Sequence, residues 1–209
     1  MRDGIYGSCG AYLPRILEQL MNTLSDCREE EKEKNGRKLY EHLEGRIKTP
    51  ESMREKCIRK GIPETPESAL RIIRDAIGIR VVTGFVDDIY ACADVIRSLP
   101  GCRVTEEKDY IRKAKENGYR SYHMLLDMEV PYPDIDGRMP GHYSAEIQIR
   151  TIAMDSWASL EHQLHYKKNI ADAELLTAEL KRCADELASC DLSMQAIRKM
   201  IEAGSGEAV

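Results

Sequence analysis

The chain has 209 residues, 42% hydrophobic and 32% charged, with a formal net charge of −5. That length suits one domain with a sizeable core, while fourteen Gly and eight Pro are too few for a collagen-like or low-complexity chain. No run approaches the 18 apolar residues of a membrane span, and the mildly acidic total argues against bulk nucleic-acid binding, so neither a membrane nor a DNA partner is expected.

The start, MRDGIYGSCG, lacks the basic flank and apolar run of a secretory leader, which points to the cytoplasm. Seven cysteines without a CxxC pair read as reduced thiols rather than a disulfide framework or a zinc site. Leu13, Leu17, Leu20, Leu24 and Cys27 recur at helical spacing, and Asn35-Gly36 stops that helix. A short helix, 52–60, is entered through Pro50 and closed by Gly61, and Pro63 and Pro66 mark the loop after it. Four strands are expected over 77–83, 102–110, 121–130 and 144–151. An amphipathic helix over 86–99 separates the first two and turns Ile89, Ala93 and Ile96 inward. In the last helix Leu176, Leu180, Cys183, Leu187, Cys190, Met194, Ile197 and Ile201 make a heptad seam, which suggests self-association through the helical ends. The pattern implies a mixed sheet flanked by helices.

Three clusters carry chemistry. The stretch RIKTPESMREKCIRK, residues 46–60, holds six basic residues against two acidic ones. Ser52, Lys56 and Arg59 share a helix face just downstream of Arg46 and Lys48, a stripe that suits a polyphosphate. Asp75, in DAIGIR, stands at a strand start, where a carboxylate can hold Mg²⁺ or pair with Arg80. In EIQIR, Glu146, Gln148 and Arg150 occupy one strand face and Ile147 and Ile149 the other, a poor core face and a good site face. Asn117-Gly118 supplies a turn that places Tyr119 at its exit, with its ring free to stack on a base. Trp157 reads as a core anchor.

The segments RIKTPES, DAIGIRVV, KDYI with KENGYRSYH, and EIQIRTIAMDSWASLEH, in this order over roughly residues 40–168, resemble the RelA/SpoT alarmone synthetase domain. The resemblance implies an α+β, nucleotidyltransferase-like fold related to DNA polymerase β, with helical arms at both ends. The expected division is an N-terminal arm over 1–36, a synthetase domain over 37–168 and an oligomerisation helix over 169–209. It implies transfer of the β,γ-pyrophosphate of ATP to the 3′-hydroxyl of GDP or GTP, giving the (p)ppGpp of the stringent response. Arg46, Lys48, Ser52, Lys56, Arg59 and Arg80 would hold ATP. Lys115, Tyr119, His123 and Gln148 would hold the acceptor, and Asp75 and Glu146 would be the catalytic carboxylates and the Mg²⁺ ligands.

No His-Asp dipeptide of the family's hydrolase domain occurs, so a synthetase-only small alarmone synthetase is implied, assembled as a homotetramer through terminal helices. Glu106-Glu107-Lys108-Asp109 mixes the family's RxKD and ExDD types, which leaves GDP against GTP open, and Ala114 stands where Pro is common. His42 and Glu44 are not the residues expected at the intersubunit cleft where some members bind alarmone or RNA, so an RNA effector is left open. Two other readings are a toxin-like relative with an adenosine nucleotide or tRNA as acceptor, and an inactive nucleotide- or RNA-binding oligomer.

Overall fold

The structure, a computed structural model, describes residues 4–165 and 173–206. Five strands form one mixed sheet: β1 (His42–Ile47), β2 (Ile77–Thr83), β3 (Cys102–Asp109), β4 (Tyr122–Val130) and β5 (Gly141–Thr151), in the order β1-β2-β5-β4-β3. Only β2 and β5 run parallel; the other neighbours are antiparallel. Helices α1 (Leu13–Asn35) and α3 (Val86–Arg97) contact this sheet, α2 (Pro50–Lys60) leads to its site, and α4 (Ile152–His165) and α5 (Ala173–Gly206) follow β5. The α+β architecture expected from the sequence is the one found.

One face of the sheet is the core. Ile77, Ile79, Val81, Met124, Leu126, Ile147 and Ile149 are buried there. On α3, Ile89, Ala93 and Ile96 are buried as their spacing implied. Helix α1 buries Leu13, Ile16, Leu20 and Leu24, so its apolar face is covered within the chain. Each such side chain contributes about 1.5–3 kcal/mol by leaving water. Gly36, in a left-handed conformation at φ 64°, ends α1 by donating to Lys32 O at 2.9 Å, the stop that Asn35-Gly36 implied.

Three features escaped the sequence pattern. Strand β1 is one. Leu43, Gly45 and Ile47 share a face, but Gly45 hides the alternation, because α1 lies so close that a Cβ there would meet Leu17 Cδ1 at 2.7 Å. The second is a π-helical turn over Ser68–Ile73, followed by Arg74 at φ 60°. Arg74 is the only non-glycine residue with positive φ among the described residues, and it immediately precedes Asp75. The third is a bulge in β3 between Val104 and Glu106. It turns Glu106 and Lys108 to the site face beside Leu125 and His123; an unbroken alternation from Val104 would have aimed Glu106 into the core.

The last helix departs from its expected seam. Helix α5 docks through Leu180, Ala184, Leu187, Asp191, Gln195 and Arg198, and the second half of that stripe is polar. Thr151 donates to Asp191 at 2.6 Å, Asp87 N donates to Gln195 at 3.1 Å, and Arg198 pairs with the buried Asp88 at 2.9 Å. These polar partners rotate the helix, so that Cys183, Cys190, Met194, Ile197 and Ile201 of the seam are exposed. The boundary expected at 168/169 lies outside the described residues. No helix among the described residues is long and apolar enough to cross a membrane, and all seven cysteines are free.

Candidate active site

The second face of the sheet is built in rows by strand register. Arg46, Gly78, Glu146, Leu125 and Glu106 form one row across the five strands; Glu44, Arg80, Gln148, His123 and Lys108 form the next. Gly78 carries no side chain, so the floor between Arg46 and Glu146 is bare. Beyond the end of β1, α2 starts with Pro50 at its first turn and Thr49 as N-cap, the Thr49 hydroxyl accepting from Ser52 N at 3.2 Å. This helix sets Lys56 opposite Asp75.

Two clefts open on this face. The first, about 560 Å³ of open space, is walled by Arg46, Lys48, Asp75, Arg80, Glu146 and Gln148. The second, about 910 Å³, is walled by Lys56, Arg74, Lys108, Tyr110, Lys115 and His123, and again by Asp75 and Glu146. The two carboxylates are therefore wall common to both clefts.

Asp75 accepts from Lys48 and from Lys56, the latter at 2.5 Å, both on Oδ2. Its Oδ1 is buried and has no hydrogen-bond partner. A buried carboxylate oxygen left without a donor is costly, and a hard cation would satisfy it. Burial pushes the Lys48 ammonium pKa down, with the like charge of Lys56 adding to it against the pull of Asp75. Glu146 shows the reverse balance. Burial works against its charge, yet contacts from His123 Nδ1 at 3.3 Å and Gln148 Nε2 at 3.0 Å, together with the nearby Lys56 charge, hold its pKa down at about 2. Among the described residues no three His, Cys, Asp or Glu side chains form a ready-made metal cage. The donor set fits a Mg²⁺ ion held by Asp75 and Glu146 and completed by substrate phosphates, the arrangement that ion prefers.

The loop between β3 and β4 carries Lys115 and Tyr119, His123 follows on β4, Gln148 stands on β5, and Ser52 and Arg59 are on α2. Gly118, at φ 89°, makes the turn, with its N–H donating to Lys115 O at 2.8 Å. The sequence suggested a free Tyr119 ring; in the structure it is engaged. Lys115 Nζ lies 4.7 Å and Arg150 Cζ 5.3 Å from its centroid, and its hydroxyl meets His123 Nε2 at 2.8 Å. Gln148, placed with the acceptor by resemblance, opens onto the first cleft beside Arg46 and Arg80. Ser52 and Arg59 share the exposed face of α2 and lie outside the walls of both clefts, so only Lys56 of that stripe reaches inward.

Two residues that sequence reasoning left without a role organise this centre. Arg150, nearly buried, donates to Tyr119 Oη at 2.7 Å, Gln148 Oε1 at 2.6 Å and Asp155 Oδ1 at 3.1 Å. Asp155 also stands 3.3 Å from Arg80 Nε. The signal available in the sequence was the polar face of EIQIR, continued one turn into α4 by Asp155. Trp157, buried as expected, donates its indole N–H to Leu180 O at 2.9 Å.

A face with two cation-lined clefts and a shared carboxylate pair defines a nucleotide-binding centre. The sequence profile of the region found in RelA/SpoT proteins matches residues 45–171, and the chain belongs to that family. It is 39% identical over 168 residues to the GTP pyrophosphokinase YwaC of Bacillus subtilis, covering 80% of this chain and 78% of that one. Its fold matches the small alarmone synthetase 1 of B. subtilis bound to its product pppGpp, with a TM-score of 0.79 and 32% identity over 90% of this chain and 94% of that one. The small alarmone synthetase 2 of B. subtilis matches with a TM-score of 0.78 and 36% identity, over 91% of this chain and 96% of that one.

Proposed function

We propose that this protein is a Mg²⁺-dependent (p)ppGpp synthetase, a GTP pyrophosphokinase that works in the cytoplasm as a homotetramer. The observation that carries the reading is the position of Asp75 and Glu146 in the wall common to two cation-lined clefts. A transferase needs its donor and acceptor on either side of the reacting atoms, and each cleft brings cations for one polyphosphate. Family membership and likeness to a GTP pyrophosphokinase support the chemistry. The exposed stripe of Cys183, Cys190, Met194, Ile197 and Ile201 on α5 supports self-association.

In this reading ATP lies along Arg46, Lys48 and Arg80, and the guanosine nucleotide lies along Lys115, Tyr119 and His123. The acceptor 3′-oxygen attacks Pβ of ATP, the bond from Pβ to the oxygen bridging to Pα breaks, and AMP leaves. Bound Mg²⁺ would supply charge neutralisation on the transferred phosphates. Lys48 and Lys56, both held on Asp75, face the charge that develops on the phosphates. Glu146, ionised down to about pH 2, is a weak base. It accepts the hydrogen bond of the 3′-hydroxyl and receives its proton late, as the bond to Pβ forms. The two-cleft geometry brings the reactants together, the largest service a site with little covalent chemistry can offer.

Incubation with γ-labelled ATP, Mg²⁺ and each of GMP, GDP, GTP, ADP and deacylated tRNA tests the reading. Label on a guanosine acceptor is the expected outcome. Label on ADP or tRNA alone, or none on any acceptor, contradicts it.

A further inference from the structure

The loop that carries Lys115 and Tyr119 has a back as well as a front. Its front faces the second cleft; its back lies on α5. Gly118 touches that helix so closely that a Cβ would stand 2.5 Å from Ala184 Cβ and 3.2 Å from Lys181 Cα. The next residue but one, Arg120, points away from the cleft and grips the same turn of α5. Its guanidinium donates to Gly118 O at 3.1 Å, to Ala184 O at 3.3 Å and to Asp185 Oδ1 at 2.9 Å. Arg120 thereby ties the turn to the helix through two main-chain carbonyls and one carboxylate. The Arg120 side chain is 19% exposed, so solvent screens its bonds to the two carbonyls only weakly, whereas its bond to Asp185 lies at the surface.

We infer that Arg120 and Asp185 are positioning residues for the acceptor nucleotide: they fix the loop on α5 in the shape that presents Lys115 and Tyr119. The inference rests on the synthetase reading above and names two residues outside both clefts. The physical reason is pre-organisation. A loop already ordered on a helix gives up little conformational freedom when the nucleotide arrives, whereas a loop released from the helix must be ordered by the ligand itself. The donor cleft is built on β1, β2 and β5, and none of the hydrogen bonds of the Arg120 guanidinium goes to them, so the effect falls on one substrate. Trp157 gives the loop a reporter. It is the only tryptophan of the chain, its ring lies 6.3 Å from that of Tyr119, and it donates to Leu180 O of α5.

The test is a split of kinetic constants in Arg120→Ala, Arg120→Lys and Asp185→Asn. Asp185 is 46% exposed, which makes its amide variant safe for folding. Arg120→Ala and Asp185→Asn should raise the acceptor KM about five- to tenfold, with the ATP KM and kcat within about twofold of wild type. Arg120→Lys, which keeps the charge and loses the fork, should fall between. Trp157 fluorescence titrated with GDP alone should shift its midpoint by the same factor as KM. An unmoved acceptor KM, or a rise in both KM values together, overturns the pairing role. Absence of transfer by the wild type overturns the synthetase reading instead, and the fluorescence midpoints still decide whether the pair sets GDP affinity.

Discussion

Asp75 carries two ammonium groups on one oxygen and none on the other, while Glu146 is held ionised by a histidine and an amide. Neither carboxylate can be replaced by the other, because Asp75 stands just before β2 and Glu146 within β5, and each has different neighbours. Asp75→Asn and Glu146→Gln should each lower kcat by about 10²–10⁴-fold, with the circular dichroism spectrum unchanged. Wild-type turnover in either variant would contradict the assignment. The depressed pKa of Glu146 has a consequence for stability. Its contribution is present above the ordinary carboxylate value of 4.5 and is lost as pH falls toward about 2, on the order of 3 kcal/mol at most. Acid unfolding followed between pH 5 and pH 2 should therefore be shallower in Glu146→Gln than in wild type. Equal slopes would mean that the His123 and Gln148 contacts do not favour the charged carboxylate.

At the scale of elements, α5 is an amphipathic helix that docks partly through polar atoms. Asp191 illustrates the cost. Burial pushes its carboxyl pKa up, and the Thr151 hydroxyl only partly offsets this. Asp191→Asn keeps an acceptor for Thr151 and removes a desolvated charge, so it should stabilise at neutral pH by about 1 kcal/mol, a Tm rise of about 2–4 °C. A lower Tm would mean that the charge holds α5 in place. The same helix shows where the sequence was legible. Apolar spacing located α1, α3 and four of the five strands; all of these bury the face that the period marks except β3, which is only half-buried and broken by its bulge. It did not mark the docking face of α5, because Asp191, Gln195 and Arg198 dock through specific partners that no apolar period encodes. It missed β1, where Gly45 replaces the side chain that would have marked the face. In the site, the alternation of EIQIR put Glu146 on a polar face, while the strand-edge position of Asp75 left it open between a metal ligand and an Arg80 pair; in the structure it pairs with Lys48 and Lys56. Arg150 and Asp155 acquire roles only once β5 and α4 bring them to Tyr119 and Arg80.

At the scale of the whole molecule, the sheet sorts its two faces cleanly, one apolar under α1 and α3 and one charged under the clefts. The exposed stripe on α5 is the largest departure from that sorting, with Met194 and Ile197 each 49% exposed and Ile201 65% exposed. If it is covered by other copies, Ile197→Asp should reduce the mass measured by light scattering to that of a smaller assembly. An unchanged mass would place the interface elsewhere. In the proposed function the carboxylate pair between the two clefts moves a pyrophosphate from one nucleotide to another. The most direct measurement is product stoichiometry by phosphorus NMR after incubation with ATP, GDP and Mg²⁺. AMP and a guanosine 3′-diphosphate are expected in equal amounts, and neither in Asp75→Asn. ADP and inorganic phosphate in place of AMP, or AMP without a 3′-linked diphosphate, would contradict it.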